Sequence, residues 1–393
     1  MHYDFDKVVN RRQGDSIKWN LYSKDVLPMW VADMDFVSPE PVIQALQERV
    51  ALGVFGYPMG LLEPKEGIPA LCKLIIERMF DLYQWKIEPD DIILLPGVVP
   101  GFNLACQTIA KPNEAVLFQT PVYPPIFNVA ETTGIQKREM ELTRQQDSSY
   151  IVDWDLFEDK ITPLVKLFIL CNPHNPVGRV FEKDELNKFA EICLKNNVTI
   201  VSDEIHSDLI FSNHKHIPIA SLDQEIANNT ITLIAPSKTY NIAGLQFSIA
   251  IIQNLTLRES FCKAKDVLLH WVNTLGIVAA TAAYAEGQDW LDQVLIYLEN
   301  NRDYLYNFVS KNMPEIQMGL PEGTYLAWLN CRNSGIQGNP YEFFLEQGRV
   351  AFNDGVSFGT GGEGYIRFNF GCPRSYLIEG LRRMQIALQS IKS

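Results

Sequence analysis

The chain alternates short apolar segments with helical patterns, and this alternation limits the folds that are open to it. Apolar runs at residues 92–95, 165–171 and 231–234 are bounded by turn residues, which is typical of buried strands. Six or more such strands lie between helices over about residues 50–285. The pattern predicts an α/β protein whose large domain has a mainly parallel but mixed sheet between helices.

The alternation stops near residue 285, and we place a domain boundary there. A chain of 393 residues is too long for one core. We predict a large domain over residues 49–285. Residues 1–48, an N-terminal arm, and residues 286–393 should together form a smaller α+β domain that closes over the site.

A lysine follows one of the predicted strands directly. Pro236 cannot continue a strand ladder, so the strand ends there and Lys238 lies just beyond it. A lysine at the edge of a core is partly desolvated, which makes its neutral amine more accessible for Schiff-base chemistry. The alternative is a solvated surface lysine in a loop.

Two further polar strings, residues 172–178 and 202–206, also follow apolar runs directly. The carboxyl ends of parallel strands meet at one edge of a sheet, where α/β folds bind ligands. We therefore expect Asn175, Asp203 and Lys238 to lie close together. The simpler interpretation of Asp203 is a helix cap, and that of His206 is an ordinary packed histidine.

The Ser-Lys-Thr-Tyr-Asn string at 237–241, taken with these two strings, resembles fold-type I enzymes that use pyridoxal phosphate. Within them, the chain is similar to the MalY/PatB group, the cystathionine β-lyase-type carbon–sulfur lyases. The string Met-Trp-Val-Ala-Asp-Met-Asp-Phe at residues 29–36 is the best marker of that group. The resemblance covers essentially the whole chain.

This resemblance implies catalytic and cofactor-binding roles for several residues. Lys238 would hold the cofactor covalently, and Asp203 would keep a proton on its pyridine nitrogen so that the ring withdraws electrons. Asn175 would donate its amide to the phenolate oxygen, near which His206 would also lie. Tyr123, on a proline-rich turn, would stack its ring on the pyridine.

The phosphate of the cofactor would lie where a strand, Gly97 and a helix start follow one another, because unpaired backbone N–H groups meet there. The resemblance adds the amides of Val98 and Val99 and the hydroxyl of Ser237. It also implies that Tyr57 reaches the cofactor phosphate of a neighbouring subunit, so the working unit would be a homodimer with shared active sites.

The substrate would be held by another set of residues. Residues 365–370 alternate in period two, with Arg367 on the face opposite Phe368. Arg367 is by default a solvent-facing residue on an edge strand, whereas the resemblance implies that it binds the α-carboxylate of an amino acid. The amides of Val31 and Ala32 would face the substrate. Tyr57 and Asn175 complete the predicted substrate-binding set.

These residues favour a carbon–sulfur β-lyase that converts cystathionine or a related cysteine conjugate to a thiol, pyruvate and ammonia. One departure is Gln246, because many aminotransferases have a basic phosphate ligand eight positions after the cofactor lysine. An aminotransferase is the nearest alternative, since it would use the same cofactor, lysine and arginine. A regulatory protein that binds the cofactor and has little turnover is an alternative from another class.

Composition narrows the partners and the location. A net charge of −13 disfavours nucleic-acid and anionic-membrane partners. Seven scattered cysteines without a C-x-x-C pair indicate free thiols in a reducing compartment and predict no metal site. The acidic first residues are unlike a signal peptide. We expect a cytoplasmic protein.

Overall fold

A computed structural model of the chain describes residues 1–58, 70–269 and 271–392. Seven strands form its main sheet: β1 (Ile92–Leu95), β2 (Ala115–Thr120), β3 (Gln136–Glu141), β4 (Val165–Cys171), β5 (Thr199–Asp203), β6 (Thr230–Ile234) and β7 (Ser248–Ile251). Their order across the sheet is β1-β7-β6-β5-β4-β2-β3. Strand β7 runs antiparallel to β1 and β6, and the other pairs are parallel. The predicted α/β class with a mainly parallel, mixed sheet is confirmed.

Helices connect most of these strands. The long helices in the described ranges are α1 (Glu40–Ala51), α2 (Ala70–Tyr83), α3 (Val98–Ile109), α4 (Lys183–Lys195), α5 (Leu255–Leu268), α6 (Thr274–Glu286), α7 (Gln288–Asn312) and α8 (Arg374–Lys392). Shorter helices span Ile17–Asn20, Pro124–Phe127, Val129–Thr133, Trp154–Lys160, Gln224–Asn228, Pro236–Thr239 and Pro340–Phe343. Within the ranges that the structure describes, no helix combines the length and apolarity that a bilayer crossing needs.

A second, antiparallel sheet follows late in the chain. Its strands are β8 (Gln317–Met318), β9 (Leu326–Asn330), β10 (Asn353–Asp354) and β11 (Tyr365–Asn369), in the order β8-β9-β11-β10. Strand β11 therefore lies inside the sheet, and all five of its residues are buried. The default interpretation of Arg367 as a solvent-facing edge residue is wrong, because the N-terminal arm covers the polar face of β11. Two shorter strand pairs join Leu27–Pro28 to Val350–Ala351, and Thr143–Arg144 to Tyr150–Ile151.

Buried ion pairs fix the arm where regular secondary structure is lacking. The Lys18 side chain is fully buried, and its Nζ lies 2.7 Å from Oδ2 of Asp35. Arg11 lies 2.6 Å from Asp33 and 2.7 Å from Asp35. Buried charges are tolerated when they are paired in this way, and a lost partner would be costly. These pairs hold the arm together, and hydrogen bonds from Arg367 and Asn369 join it to β11.

The hydrophobic clusters divide in a way that supports the predicted domains. One cluster joins the arm to apolar side chains of residues 290–388, and also takes in a few residues between 209 and 283. Three other clusters lie between residues 71 and 280. The boundaries at 48/49 and 285/286 stay a prediction.

Candidate active site

A cavity of about 170 Å³ lies at the carboxyl edge of the main sheet. It brings together most of the predicted site residues. Its walls contain Ala32, Gly97, Val98, Val99, Tyr123, Asn175, Asp203, His206, Ser237 and Lys238, together with Pro96, Pro100, Cys171, Ile205, Ala243, Gln246 and Phe247. Asn175, Asp203 and Lys238 are far apart in sequence but meet here because each follows one of the parallel strands of the main sheet.

Lys238 lines this cavity, so the alternative of a solvated surface lysine is wrong. It lies in the short helix Pro236–Thr239, directly after β6. Its Nζ donates a 2.7 Å hydrogen bond to the backbone carbonyl of Ala32. Burial lowers the pKa of Lys238 to about 8, against the opposing charges of Asp33 and Asp203. A substantial fraction of the amine is therefore neutral and nucleophilic close to neutral pH.

Asp203 is buried at the end of β5 and faces the same cavity. Its Oδ1 accepts a 3.2 Å hydrogen bond from the backbone N–H of Ile205, and no described helix begins there, so the helix-cap interpretation is wrong. No described cation forms an ion pair with it, and burial raises the pKa of Asp203 to about 7. A positive charge in the cavity would lower this pKa, which suits a carboxylate that faces a protonated ring nitrogen.

Arg367 is a buried cation without a carboxylate partner among the described residues. Its guanidinium donates to the side-chain oxygens of Asn175 (3.0 Å) and Asn353 (2.6 Å) and to the Trp30 carbonyl (3.1 Å). Its Nε has no partner. The guanidinium lies 5.1 Å from the ring centroid of Phe358. Burial lowers the pKa of Arg367 to about 10. Such an uncompensated charge is suited to binding an anion.

Asn175 is oriented by this contact. Because its side-chain oxygen accepts from Arg367, its amide N–H₂ is left without a described partner at the cavity wall. The carbonyl of Asn175 also accepts from the backbone N–H of Tyr123 at 3.0 Å, which ties the Tyr123 turn to the site. Burial raises the pKa of the Tyr123 phenol, so the ring faces the cavity in its neutral form.

His206 is a buried side chain with an unused ring nitrogen. Its Nδ1 has no hydrogen-bond partner. Burial lowers the pKa of His206 to about 3, and the imidazole is neutral. Its ring centroid lies 6.0 Å from that of Tyr325, in an edge-on arrangement. A buried polar atom without a partner is rare in folded proteins, so this nitrogen is suited to contact a ligand in the cavity.

One end of the cavity is suited to a phosphate. Helix α3 begins directly after Gly97, and no described acceptor pairs with the backbone N–H groups of Val98 or Val99. The Ser237 hydroxyl is also without a described partner. Unpaired N–H groups at a helix start bind anions. Gln246 is exposed at the cavity wall, and the wall has no basic side chains other than Lys238 and His206 among the described residues.

Tyr57, Val31 and Arg367 do not line this cavity, although Arg367 adjoins its wall through the hydrogen bond to Asn175. Tyr57 is 83% exposed, and its ring centroid lies 5.3 Å from that of Trp271. Tyr57 and Trp271 line a neighbouring cavity of about 590 Å³, whose wall shares Pro96 and Gln246 with the cavity that contains Lys238. Val31 precedes Ala32 on the arm.

The family model for class I and II aminotransferases matches residues 24–384. Cystathionine beta-lyase PatB of Bacillus subtilis is 39% identical over an alignment 393 residues long, which covers 98% of this chain and 100% of PatB. The chain belongs to the class I and II aminotransferase family. Its predicted similarity to the PatB group is confirmed.

Solved structures of this family have the same fold. A PLP-bound putative aminotransferase from Clostridium difficile 630 is 40% identical, with a TM-score of 0.93 over 98% of this chain and 100% of that one. Cystalysin from Treponema denticola, which contains a pyridoxal 5'-phosphate cofactor, is 36% identical, with a TM-score of 0.93 over 99% of this chain and 100% of cystalysin. The predicted fold-type I architecture is confirmed.

Three residues at the site escaped the sequence analysis. Asn353 orients Arg367, and Tyr325 donates a 2.9 Å hydrogen bond to the Ala32 carbonyl. Asn369 donates to the carbonyls of Val31 and Asp33. The polar face of the period-two pattern at 365–370 was a signal for Asn369. No pattern in the sequence singled out Asn353 or Tyr325.

Proposed function

We propose that this member of the family is a pyridoxal-phosphate-dependent carbon–sulfur β-lyase that cleaves cystathionine or related cysteine conjugates. The observation that carries the proposal is the Lys238 amine, with its lowered pKa, in one cavity with the buried Asp203 carboxylate. The similarity to PatB, a protein named cystathionine beta-lyase, supports the substrate class.

The residues present fit pyridoxal phosphate. Lys238 would hold its aldehyde, and Asp203 would hold a proton on its ring nitrogen. The free amide of Asn175 and the unpaired Nδ1 of His206 would contact its polar substituents, while Tyr123 would lie against the ring. The amides of Val98 and Val99 and the hydroxyl of Ser237 would hold the phosphate. When bound, the cofactor withdraws electrons from the α-carbon of the amino acid.

The protein side chains would then orient the substrate and move its proton. Arg367 would bind the α-carboxylate, since it is a buried cation without an anionic partner among the described residues and its Nε–H is unpaired. The unpaired amides of Val31 and Ala32 lie on the arm beside it. The Lys238 amine would take the α-proton, a step that general-base catalysis typically accelerates by about 10² to 10⁴. Loss of the β-substituent yields the thiol, and hydrolysis of the remainder yields pyruvate and ammonia.

Product analysis tests this function. The purified holoenzyme is incubated with L-cystathionine, with and without a 2-oxo acid as amino acceptor, and pyruvate and free thiol are measured. We expect equal amounts of pyruvate and thiol without the acceptor. Amino transfer that requires the acceptor would identify an aminotransferase. Absence of turnover on every β-substituted amino acid tested would favour a regulatory protein. Either result would overturn the proposal.

We also infer a homodimer in which Tyr57 completes the site of the partner subunit. Tyr57 lies outside the cavity of its own chain and is an exposed aromatic residue beside Phe55 and Trp271, which are also exposed. Exposed apolar patches of this kind commonly mark interfaces. The neighbouring cavity that contains Tyr57 adjoins the phosphate end of the cofactor cavity through Pro96 and Gln246.

Replacing Tyr57 by alanine should weaken cofactor binding by about 10- to 100-fold, the effect of one hydrogen bond to a charged group. The decisive measurement mixes Tyr57→Ala protein with Lys238→Ala protein under conditions that exchange subunits. If Tyr57 acts across the interface, heterodimers contain one complete site, and about one quarter of all sites should be restored. No gain in turnover on mixing would contradict the arrangement.

We place the protein in the cytoplasm. All seven cysteines of the sequence lie in the described ranges and carry free thiols. Free, mostly buried thiols are typical of a reducing compartment.

A further inference from the structure

The backbone carbonyl of Ala32 accepts two side-chain hydrogen bonds inside the site. One comes from Nζ of Lys238 at 2.7 Å, and the other from the hydroxyl of Tyr325 at 2.9 Å. Tyr325 is 1% exposed and immediately precedes β9. It is 293 residues from Ala32 in the sequence. One oxygen thus connects the candidate catalytic amine to a buried tyrosine that is outside the cavity wall.

We propose that the Ala32 carbonyl is the acceptor that holds the Lys238 amine whenever the amine is not bonded to the cofactor, and that Tyr325 is the positioning residue that fixes this carbonyl. The proposal rests on the proposed function in one respect, namely that Lys238 alternates between bonded and free forms.

The peptides on both sides of Ala32 are clamped. The Asn369 amide donates to the Val31 carbonyl and, at 2.8 Å, to the Asp33 carbonyl. Nζ of Lys18 donates to the same Asp33 carbonyl at 3.1 Å. Because both flanking carbonyls are held, the Ala32 peptide stays at the cavity wall. The hydrogen bond from the Tyr325 hydroxyl then sets the direction of its carbonyl oxygen.

A fixed acceptor has a defined effect on proton transfer by Lys238. One N–H bond of the neutral amine points at the Ala32 oxygen, which restricts the direction of the lone pair. When Nζ gains the proton that the α-carbon loses, the bonding electrons stay with the substrate, and the new ammonium is stabilised by the same carbonyl. Tyr325 competes for the electron density of that oxygen, so its hydroxyl weakens the acceptor while fixing its place.

Other charged and titratable groups also face Lys238 and must be considered. They are Asp33 on the arm, Asp203 after β5, Arg367 on β11 and His206. Removal of the Tyr325 hydroxyl changes the identity of none of these groups. A change in the titration of Lys238 that follows this removal can therefore be assigned to the Ala32 carbonyl.

The test uses Tyr325→Phe, which keeps the ring and removes the donor. The rate at which cofactor-stripped full-length protein captures pyridoxal phosphate is measured against pH by visible absorbance, because only the neutral amine attacks an aldehyde. Without the Tyr325 hydroxyl, the Ala32 carbonyl accepts a stronger hydrogen bond from Lys238. We therefore expect the midpoint pH of the capture rate to rise by about half a pH unit. In the holoenzyme, the acidic limb of kcat should move in the same direction. The matched control is Tyr150→Phe, whose hydroxyl donates to that of Tyr365 at 3.3 Å away from the cavity, and it should leave the midpoint unchanged.

If Tyr325→Phe leaves the midpoint pH of the capture rate and of kcat unchanged, even with a lower melting temperature, Tyr325 has only a structural role. That result would overturn the proposal. If this variant does not fold, 3,5-difluorotyrosine at position 325 keeps the shape and strengthens the donor. Its midpoint should move to lower pH, and an unchanged value would again overturn the proposal. Shifted midpoints together with no pyruvate release would refute the proposed function while leaving this inference intact.

Discussion

Replacing Lys238 by alanine is expected to abolish the visible absorbance of covalently bound pyridoxal phosphate and to lower elimination turnover by about 10⁴-fold. The reason is that no other amine lines the cavity among the described residues. The same variant removes the base that takes the α-proton. Absorbance spectra of the purified protein and pyruvate release from cystathionine measure the two effects separately.

Two controls distinguish the loss of the reactive amine from the loss of its positive charge and from general damage to the fold. Lys238→Arg keeps a positive charge, but its guanidinium stays protonated and cannot act as the amine does. It should be as inactive as Lys238→Ala. Lys166 is a surface lysine with a 37% exposed side chain, and Lys166→Ala should keep both absorbance and turnover. Retention of both properties by Lys238→Ala would show that the site is misassigned.

The sequence predicted the residues that follow strands of the main sheet. Asn175, Asp203 and Lys238 meet because the carboxyl ends of parallel strands share one edge, so their position in the chain fixes their position in the fold. The strand pattern also predicted a helix start with free N–H groups after Gly97, and the family resemblance added the amides of Val98 and Val99 there. The positions of Asn175, Asp203 and Lys238 needed only the strand pattern and the direction of the chain.

Residues that act on the arm could not be predicted in this way. Tyr325 and Asn353 come from the second sheet, and their partners are a backbone carbonyl and another side chain. Neither type of contact leaves a periodic pattern. Tyr325 meets Ala32 across 293 residues, a pairing that depends on how the arm returns over the sheet.

The position of Arg367 was predicted only in part. Period-two alternation separates the two faces of β11, but it does not tell an inner strand from an edge strand. Strand β10 pairs with β11 and makes it an inner strand, but β10 has only two residues, which are too few to form a sequence pattern. Packing of the arm against the polar face of β11 then buries the guanidinium. Burial in turn gives Arg367 its capacity to bind an anion.

Arg367→Met should lower kcat/KM by about 10³-fold, mainly through KM, and leave the cofactor absorbance in place. Losing one partner of a desolvated charge pair costs about 2–5 kcal/mol, which corresponds to about one and a half to three and a half decades. Arg367→Lys keeps the charge but lacks the fork of donors, so we expect an intermediate loss of about 10- to 100-fold. Steady-state kinetics with cystathionine measures all three proteins.

Comparison of two inhibitors assigns this loss to the carboxylate. L-Alanine has an α-carboxylate and ethylamine does not, so Arg367→Met should weaken inhibition by L-alanine and leave that by ethylamine unchanged. Arg332, which stacks on the Tyr365 ring with 4.9 Å to its centroid, offers a matched control away from the cavity, and Arg332→Met should affect neither inhibitor. Equal weakening of both inhibitors by Arg367→Met would mean that Arg367 supports the site through packing. A selective loss with L-alanine would instead assign the uncompensated buried charge to the substrate carboxylate.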